Sequence, residues 1–122
     1  MTIKKVCIQT GLTVDTIRYY ERVGLVKVEK GDYFKNYNQQ TVDTLRAIKK
    51  LRLAGLSIDE IKWLVSIESD ATELSRKQLD SVTAVINNAI ERAKIRAREI
   101  TESQQLLEKM KNKLIKVSHE TD

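Results

Sequence analysis

Arg18 and Arg22 are the side chains best equipped for chemistry in this chain. They stand four residues apart in the run Thr16–Val26, T-I-R-Y-Y-E-R-V-G-L-V, so on a helix both point the same way. A guanidinium is a planar, permanently charged fork of donors that matches the acceptor edge of guanine and the oxygens of a phosphate. Tyr19 and Tyr20 lie between them, and Gly24 supplies the helix stop. A short rigid helix with two such forks and a phenol is suited to entering a DNA major groove.

That helix needs a support, and the preceding residues predict one. Ile3, Val6, Cys7 and Ile8 give a two-turn helix over Lys4–Gln9, which Gly11 breaks. Thr13 caps the next helix by accepting from a backbone N–H. Ile17, Tyr20 and Val23 recur at helical spacing and face inward, with Leu12 and Val14 closing the joint. Helix, glycine turn and capped second helix form the helix-turn-helix outline.

From Leu25 the pattern changes. Val26-Lys27-Val28 alternates apolar and polar residues like a short strand, Lys30-Gly31-Asp32 reads as a turn, and Tyr33–Tyr37 resumes. This predicts a small hairpin, or wing, exposing Lys27, Lys30, Lys35 and the phenols of Tyr33 and Tyr37. Lysines there would hold phosphates rather than read bases. Asn38 then caps a third helix with Val42, Leu45, Ile48 and Leu51 on its inner face, ended by Gly55. Ser57-Ile-Asp-Glu60 fits the capping box of a fourth, whose buried side is Ile58, Ile61, Leu64 and Val65. Trp63 is expected to pack at the hinge with the C-terminal segment.

The C-terminal segment reads as a rod. From Leu79 one heptad register holds Leu79, Ile86, Ala93, Ile100, Leu107 and Leu114, and the other holds Val82, Ala89, Arg96, Ser103, Met110 and Val117. Ten of these twelve positions are apolar, which predicts a coiled coil. A helix with such a stripe needs a partner, and an identical chain is the simplest one. Arg96 and Ser103 interrupt the seam, and the interruption is a place for Gln104–Val117 to bend back and pack locally.

Charge separates the two parts. Residues 1–67 hold twelve Lys and Arg against seven Asp and Glu, whereas residues 68–122 hold ten of each. All four glycines fall in the basic half, and a basic, turn-punctuated unit suggests a polyanionic partner. One cysteine and one histidine exclude an internal disulfide and a metal site built from those residues alone. Cys7 is expected to be ordinary packing and His119 to lie in a frayed tail. No apolar run approaches the ~20 residues of a membrane span, and no signal-peptide pattern opens the chain, so a cytoplasmic protein is expected. Asp15 and Glu21 are isolated acids suited to salt bridging or repelling wrong bases. Without a glycine-rich phosphate loop or a Ser or Cys paired with His, no catalytic residues and no cofactor are expected.

Two runs also resemble the mercury-resistance-type (MerR) family of bacterial transcription regulators. Ile17–Leu25 match its I-R-Y-Y-E-x-x-G-L core, and Gly55-Leu56-Ser57-Ile58-Asp59-Glu60-Ile61 match its L-G-[FML]-S-[LI]-x-E-I motif. The resemblance spans roughly residues 2–67. The wing departs from it: Tyr33-Phe34-Lys35-Asn36-Tyr37 stands where G-Y-R-x-Y is usual, and a lysine keeps the charge but loses the bidentate fork. The resemblance implies that Arg18 and Tyr19 touch DNA, that Lys35 and Tyr37 hold its backbone, and that the long helix pairs antiparallel. It also implies a promoter operator that is bent and untwisted so that RNA polymerase engages. No effector domain is expected after the rod.

These readings combine into one expectation, a mainly α chain. A winged helix-turn-helix domain covers residues 1–70, a coiled-coil dimerisation helix 75–118 and a frayed tail 119–122. The DNA-binding residues are Thr13, Thr16, Arg18, Tyr19, Arg22, Lys30, Lys35 and Tyr37. The dimer contacts are Leu79, Val82, Ile86, Ala89, Ala93, Ile100, Leu107, Met110 and Leu114. The partners are double-stranded DNA, a second copy of the chain and RNA polymerase. Two rivals stand beside it: a sensorless architectural factor of the excisionase type, and a coiled-coil adaptor with a basic head that tethers it to DNA.

Overall fold

Among the described residues, each of five α-helices begins where a short polar side chain accepts a hydrogen bond from the backbone N–H three residues on. Thr2 accepts from Lys5, Thr13 from Thr16, Asn38 from Thr41, Ser57 from Glu60 and Ser75 from Gln78. Such caps satisfy one of the orphan donors at a helix start. The helices of this computed structural model are α1 (Ile3–Thr10), α2 (Val14–Arg22), α3 (Gln39–Leu53), α4 (Ile58–Asp70) and α5 (Arg76–Thr121). The structure describes residues 1–30, 35–70 and 74–121, without the side chains of 29, 30, 35, 68–70 and 121.

At Ser57 the capping box is complete, because Glu60 Oε1 accepts in return from the Ser57 N–H at 2.9 Å. The same reciprocal pair opens α5, where Gln78 Oε1 accepts from the Ser75 N–H at 2.9 Å. That Ser-x-x-Gln signal places the start of the long helix ahead of the heptads, which begin only at Leu79.

The core of the first unit is built from Val6 of α1, Ile17 of α2, Val42, Leu45 and Ile48 of α3, and Ile61 of α4, all essentially without solvent exposure. These are the inward positions that helical spacing selects, one stripe from each helix. Leu51 and Leu64 are half-buried, and Ile8 and Val65 are exposed. The inner faces of α1 and α4 are thus narrower than the sequence pattern suggests.

The end of α1 is held from α3. The Arg46 guanidinium donates to the Gln9 carbonyl at 3.0 and 3.2 Å, and Lys49 Nζ donates to the Thr10 carbonyl at 3.0 Å. Both cations satisfy carbonyls that a helix end leaves unpaired. Gly11 then turns the chain with φ +73°, and a Cβ there would lie 2.7 Å from Lys49 Nζ. Gly11→Ala is therefore expected to cost about 1–2 kcal/mol, the left-handed penalty of a side-chain-bearing residue, with some displacement of Lys49. A thermal melt checks this, and an unchanged midpoint would show that the turn is not held in that conformation.

The wing is a two-stranded antiparallel ribbon, β1 (Glu29–Lys30) and β2 (Lys35–Asn36), with Glu29 opposite Asn36 and Lys30 opposite Lys35. The first strand lies beyond Val26–Val28, where alternation places it. Leu25 and Val26 are both buried, and two consecutive inward residues do not follow the period of a strand. Lys30 is consequently a strand residue and not part of the turn. Tyr33 lies outside the described residues, as do the side chains of Lys30 and Lys35.

The chain divides into two compact units, Met1–Val85 and Ile86–Asp122. Helix α5 contributes to both and is helical without interruption through Arg96 and Ser103. Two facts explain why these polar residues do not break it. Arginine is a good helix former, and the Ser103 hydroxyl donates back to the Glu99 carbonyl at 2.8 Å. Gln104–Val117 continues the helix instead of bending back, and His119 and Glu120, expected in a frayed tail, remain helical. Along α5, Leu79, Ile86, Ile100, Leu107, Met110 and Leu114 are exposed, Val82 and Ala93 half-buried and Ala89 buried. Among the described residues no helix is long and apolar enough to cross a membrane.

Candidate nucleic-acid interface

Helix α2 presents two chemically opposite sides. Ile17 and Tyr20 are buried, while Arg18, Tyr19 and Arg22 face solvent. This division follows from the sequence: positions 17 and 20 lie one helical turn apart, as do 18 and 22. At the start of the helix the Thr13 hydroxyl donates to Thr16 Oγ1 at 2.9 Å while accepting from the Thr16 N–H at 3.1 Å. The two threonines expected at the groove edge are thus joined to each other.

The outer side is partly pre-arranged. The Arg22 guanidinium carbon lies 5.5 Å from the centre of the Tyr19 ring, within cation–π range. Tyr19 in turn tilts against Tyr20, with ring centres 6.0 Å apart and planes at 50°. A buried aromatic thereby steadies an exposed one, which steadies a cation.

Beyond Arg22 the chain reverses. Leu25 N–H donates to the Tyr20 carbonyl at 2.9 Å and Gly24 N–H to the Glu21 carbonyl at 3.1 Å. Gly24 takes φ +83°, the left-handed conformation that closes such helix ends. The reversal carries Lys27 back beside α2, so that Arg18, Glu21, Arg22, Gly24, Val26, Lys27 and Val28 line one surface recess. Three cationic residues, Arg18, Arg22 and Lys27, therefore line one recess together with Glu21. The sequence places Lys27 among exposed wing groups but does not join it to the two arginines, because the positive-φ turn at Gly24 does that.

Tyr37 is the main departure from expectation. Instead of reaching outward to a phosphate, it is only 3% exposed, and its hydroxyl donates to Glu21 Oε1 at 2.6 Å. Burial first, then the hydrogen bond and negative charge of Glu21, push its pKa well above the ordinary tyrosine value, and the nearby Arg18 charge opposes that only in part. Tyr37 therefore stays a neutral donor at any ordinary pH. Its backbone is anchored as well: the Tyr37 N–H donates to the Met1 carbonyl at 3.3 Å, and the Met1 nitrogen donates to the Tyr37 carbonyl at 2.7 Å. Glu21, an isolated acid in the sequence, fastens α2 to the end of the wing.

Cys7 is half-buried on α1. Among the described residues no three His, Cys, Asp or Glu side chains come together as metal ligands would.

Comparison with known proteins agrees with this architecture. The family model described as "MerR HTH family regulatory protein" matches residues 1–66. The chain is 43% identical over 61 residues to the mercuric resistance operon regulatory protein of Bacillus cereus, a match covering 47% of this chain and 45% of that protein. It is 30% identical over 107 residues to the HTH-type transcriptional regulator ZntR homolog of Haemophilus influenzae, covering 86% of this chain and 76% of that one. The chain thus spans less than half of the first relative's length and about three quarters of the second's. Among solved structures, a MerR family transcriptional regulator from Listeria monocytogenes shares the fold with a TM-score of 0.67 at 22% identity, covering 88% of this chain and 80% of that one. HiNmlR, described as a MerR family regulator lacking the sensor domain and bound to promoter DNA, does so with a TM-score of 0.69 at 20% identity, covering the same 88% and 80%. The matched residues hold α1, α2, the wing, α3 and most of α4, including every side chain of the basic recess, and on that ground the chain belongs to the MerR family of helix-turn-helix regulatory proteins.

Proposed function

We propose that this chain is a sequence-specific transcriptional regulator that binds a two-fold symmetric promoter operator as a homodimer. The observation that carries the reading is the outer side of α2, where Arg18, Tyr19 and Arg22 stand exposed, Arg22 packs on the Tyr19 ring, and both arginines line one recess with Lys27. Arg18 and Arg22 would enter the major groove with Tyr19 and the Thr13–Thr16 edge, as recognition helices do. Lys27, Lys30 and Lys35 would hold flanking phosphates. Tyr37 drops out of the DNA-touching set and becomes a support. The exposed apolar stripe of α5 takes a second copy of the chain, antiparallel, spacing the two heads along the duplex. Bending and untwisting of the bound DNA, with the deformation offset by phosphate contacts, is the route by which polymerase would be engaged.

A protein of the same fold, described as lacking a sensor domain, was crystallised on promoter DNA, which favours DNA binding for this chain as well. Selection of bound sites from random duplexes tests the reading. One inverted-repeat motif is expected, with affinity that falls steeply as salt rises because several phosphates are neutralised at once. Salt-sensitive binding with no recovered motif would instead assign the chain to the architectural or tethering class.

A further inference from the structure

The heptad seam does not account for all of the apolar surface of α5. Val85, Ile90, Ala97 and Leu106 lie outside it, and the last three are exposed. With Leu79 and Val82 as the first a and d positions, Val85, Arg92, Glu99 and Leu106 occupy g, and Ile90 and Ala97 occupy e. These are the flanks that border a seam and choose its partner. Because α5 is one unbroken helix from Arg76 to Thr121, each flank has a definite neighbour on a second copy for every alignment of the two.

In an antiparallel pair each a position meets a d position of the partner, g faces g and e faces e. Alignments therefore differ by whole heptads, and the flanks tell them apart. With Ile86 opposite the partner's Ser103, Arg92 faces the partner's Glu99, Val85 faces the partner's Leu106, and Ile90 faces the partner's Ala97. Two-fold symmetry makes each contact twice. One heptad of longer overlap adds a seam layer, but it sets Glu99 against the partner's Glu99, Val85 against the partner's Lys113 and Ile90 against the partner's Gln104. One heptad of shorter overlap sets Arg92 against the partner's Arg92 and Val85 against the partner's Glu99. Facing like charges repel, and an apolar side chain beside a charge loses burial. Arg92 also interacts within its own chain. That interaction is the same in every alignment, so the choice rests only on the sign of its charge.

We propose that two copies of α5 pair antiparallel in this one register, centred between Lys94 and Ile95, with Arg92 and Glu99 as the flanks that specify it. The inference rests on the homodimer reading above and adds the alignment of the two chains. It also gives the polar seam positions a place. Ser103 falls opposite the partner's Ile86, and Arg96 falls opposite the partner's Ala93, whose small side chain leaves room for the arginine stem to carry its charge out to water.

Charge reversal at the facing flanks tests the register on the full chain, with the dimer dissociation constant read by sedimentation at low salt. Arg92→Glu and Glu99→Arg are each expected to weaken the dimer about tenfold, because each turns two attractive pairs into repulsive ones. The combined Arg92→Glu, Glu99→Arg protein has opposite charges facing again and is expected to return within about twofold of the native constant. In the shorter overlap Arg92→Glu merely exchanges one like pair for another, and in the longer overlap Glu99→Arg does the same. An unaffected single variant, or a double variant no better than the singles, overturns the proposal. A short thiol cross-linker gives a second readout, in chains that also carry Cys7→Ala. Ile86→Cys is expected to link to Ser103→Cys when the two proteins are mixed. One heptad displaces facing positions by about 10 Å, so preferential linking of Ile86→Cys to Met110→Cys would overturn the register. Linking of Ile86→Cys to a second Ile86→Cys chain would overturn the antiparallel orientation. A native protein that sediments as a monomer would refute the homodimer reading itself, a result separable from a dimer with the wrong pairs.

Discussion

Arg18→Ala is expected to abolish the preference for operator over random DNA while leaving the protein folded. Arg18 is exposed and contributes nothing to the core, so its removal should change stability by less than about 0.5 kcal/mol. Its fork is another matter. A bidentate contact to a base edge supplies about 1–3 kcal/mol of discrimination, and a symmetric dimer makes it twice. The operator therefore loses roughly 2–6 kcal/mol, or about thirtyfold to more than ten-thousandfold. Random DNA loses only the charge contribution. Arg18→Lys separates the two effects, because an ammonium keeps the charge but not the planar pair of donors. Titrations at one salt concentration should show Arg18→Lys close to native on random DNA and close to Arg18→Ala on the operator. Equal losses on both DNAs for Arg18→Ala would show that this residue reads no base.

The second large effect lies on α5. Ile86 is 46% exposed in the single chain, so an aspartate there costs that chain little. In a dimer the same position would face the partner, and every substitution appears twice. Each isoleucine has about half of its surface left to bury, so loss of burial for two amounts to roughly 1.5–3 kcal/mol, before the penalty of placing two carboxylates in an apolar seam. The dimer dissociation constant should rise more than about a hundredfold. Sedimentation should find Ile86→Asp monomeric where the native protein is dimeric, and operator binding should fall with it. Ile95 provides the control. It is as exposed as Ile86, but nine residues on at ~100° each is half a turn around the helix. Ile95→Asp should therefore remain dimeric. If both variants dissociate, or neither does, the heptad stripe is not the interface.

The two effects also separate the rivals. An architectural factor without base reading would tolerate Arg18→Ala on any DNA. An adaptor waiting for a foreign helix would be monomeric before any change at Ile86.

Sequence alone determined the parts of this protein that rest on local rules. Thr13, Asn38 and Ser57 cap helices because a short polar side chain before an apolar-periodic run has one favourable use, an orphan N–H, and all three do so. The opposed sides of α2 follow from a 3.6-residue period, and the apolar stripe of α5 from a 7-residue one. The family followed from two short motifs in order. The Ser75–Gln78 capping box is equally legible and sets the true start of the long helix.

Only the tertiary structure decided where distant residues meet. Two tyrosines of similar sequence surroundings have opposite fates: Tyr19 stays on the surface under Arg22, whereas Tyr37 is drawn inward to Glu21, sixteen residues away. Nothing local distinguishes them, because the difference is made by the turn at Gly24 and the pairing of Tyr37 with Met1. The same turn sets Lys27 beside Arg18 and Arg22. Burial of Leu25 and Val26 against the helices likewise shifts the first wing strand to Glu29–Lys30. Periodicity fixes which side of an element faces the core. Which side chain across the core meets it depends on how chain reversals bring separate elements together, and that is a property of the folded whole.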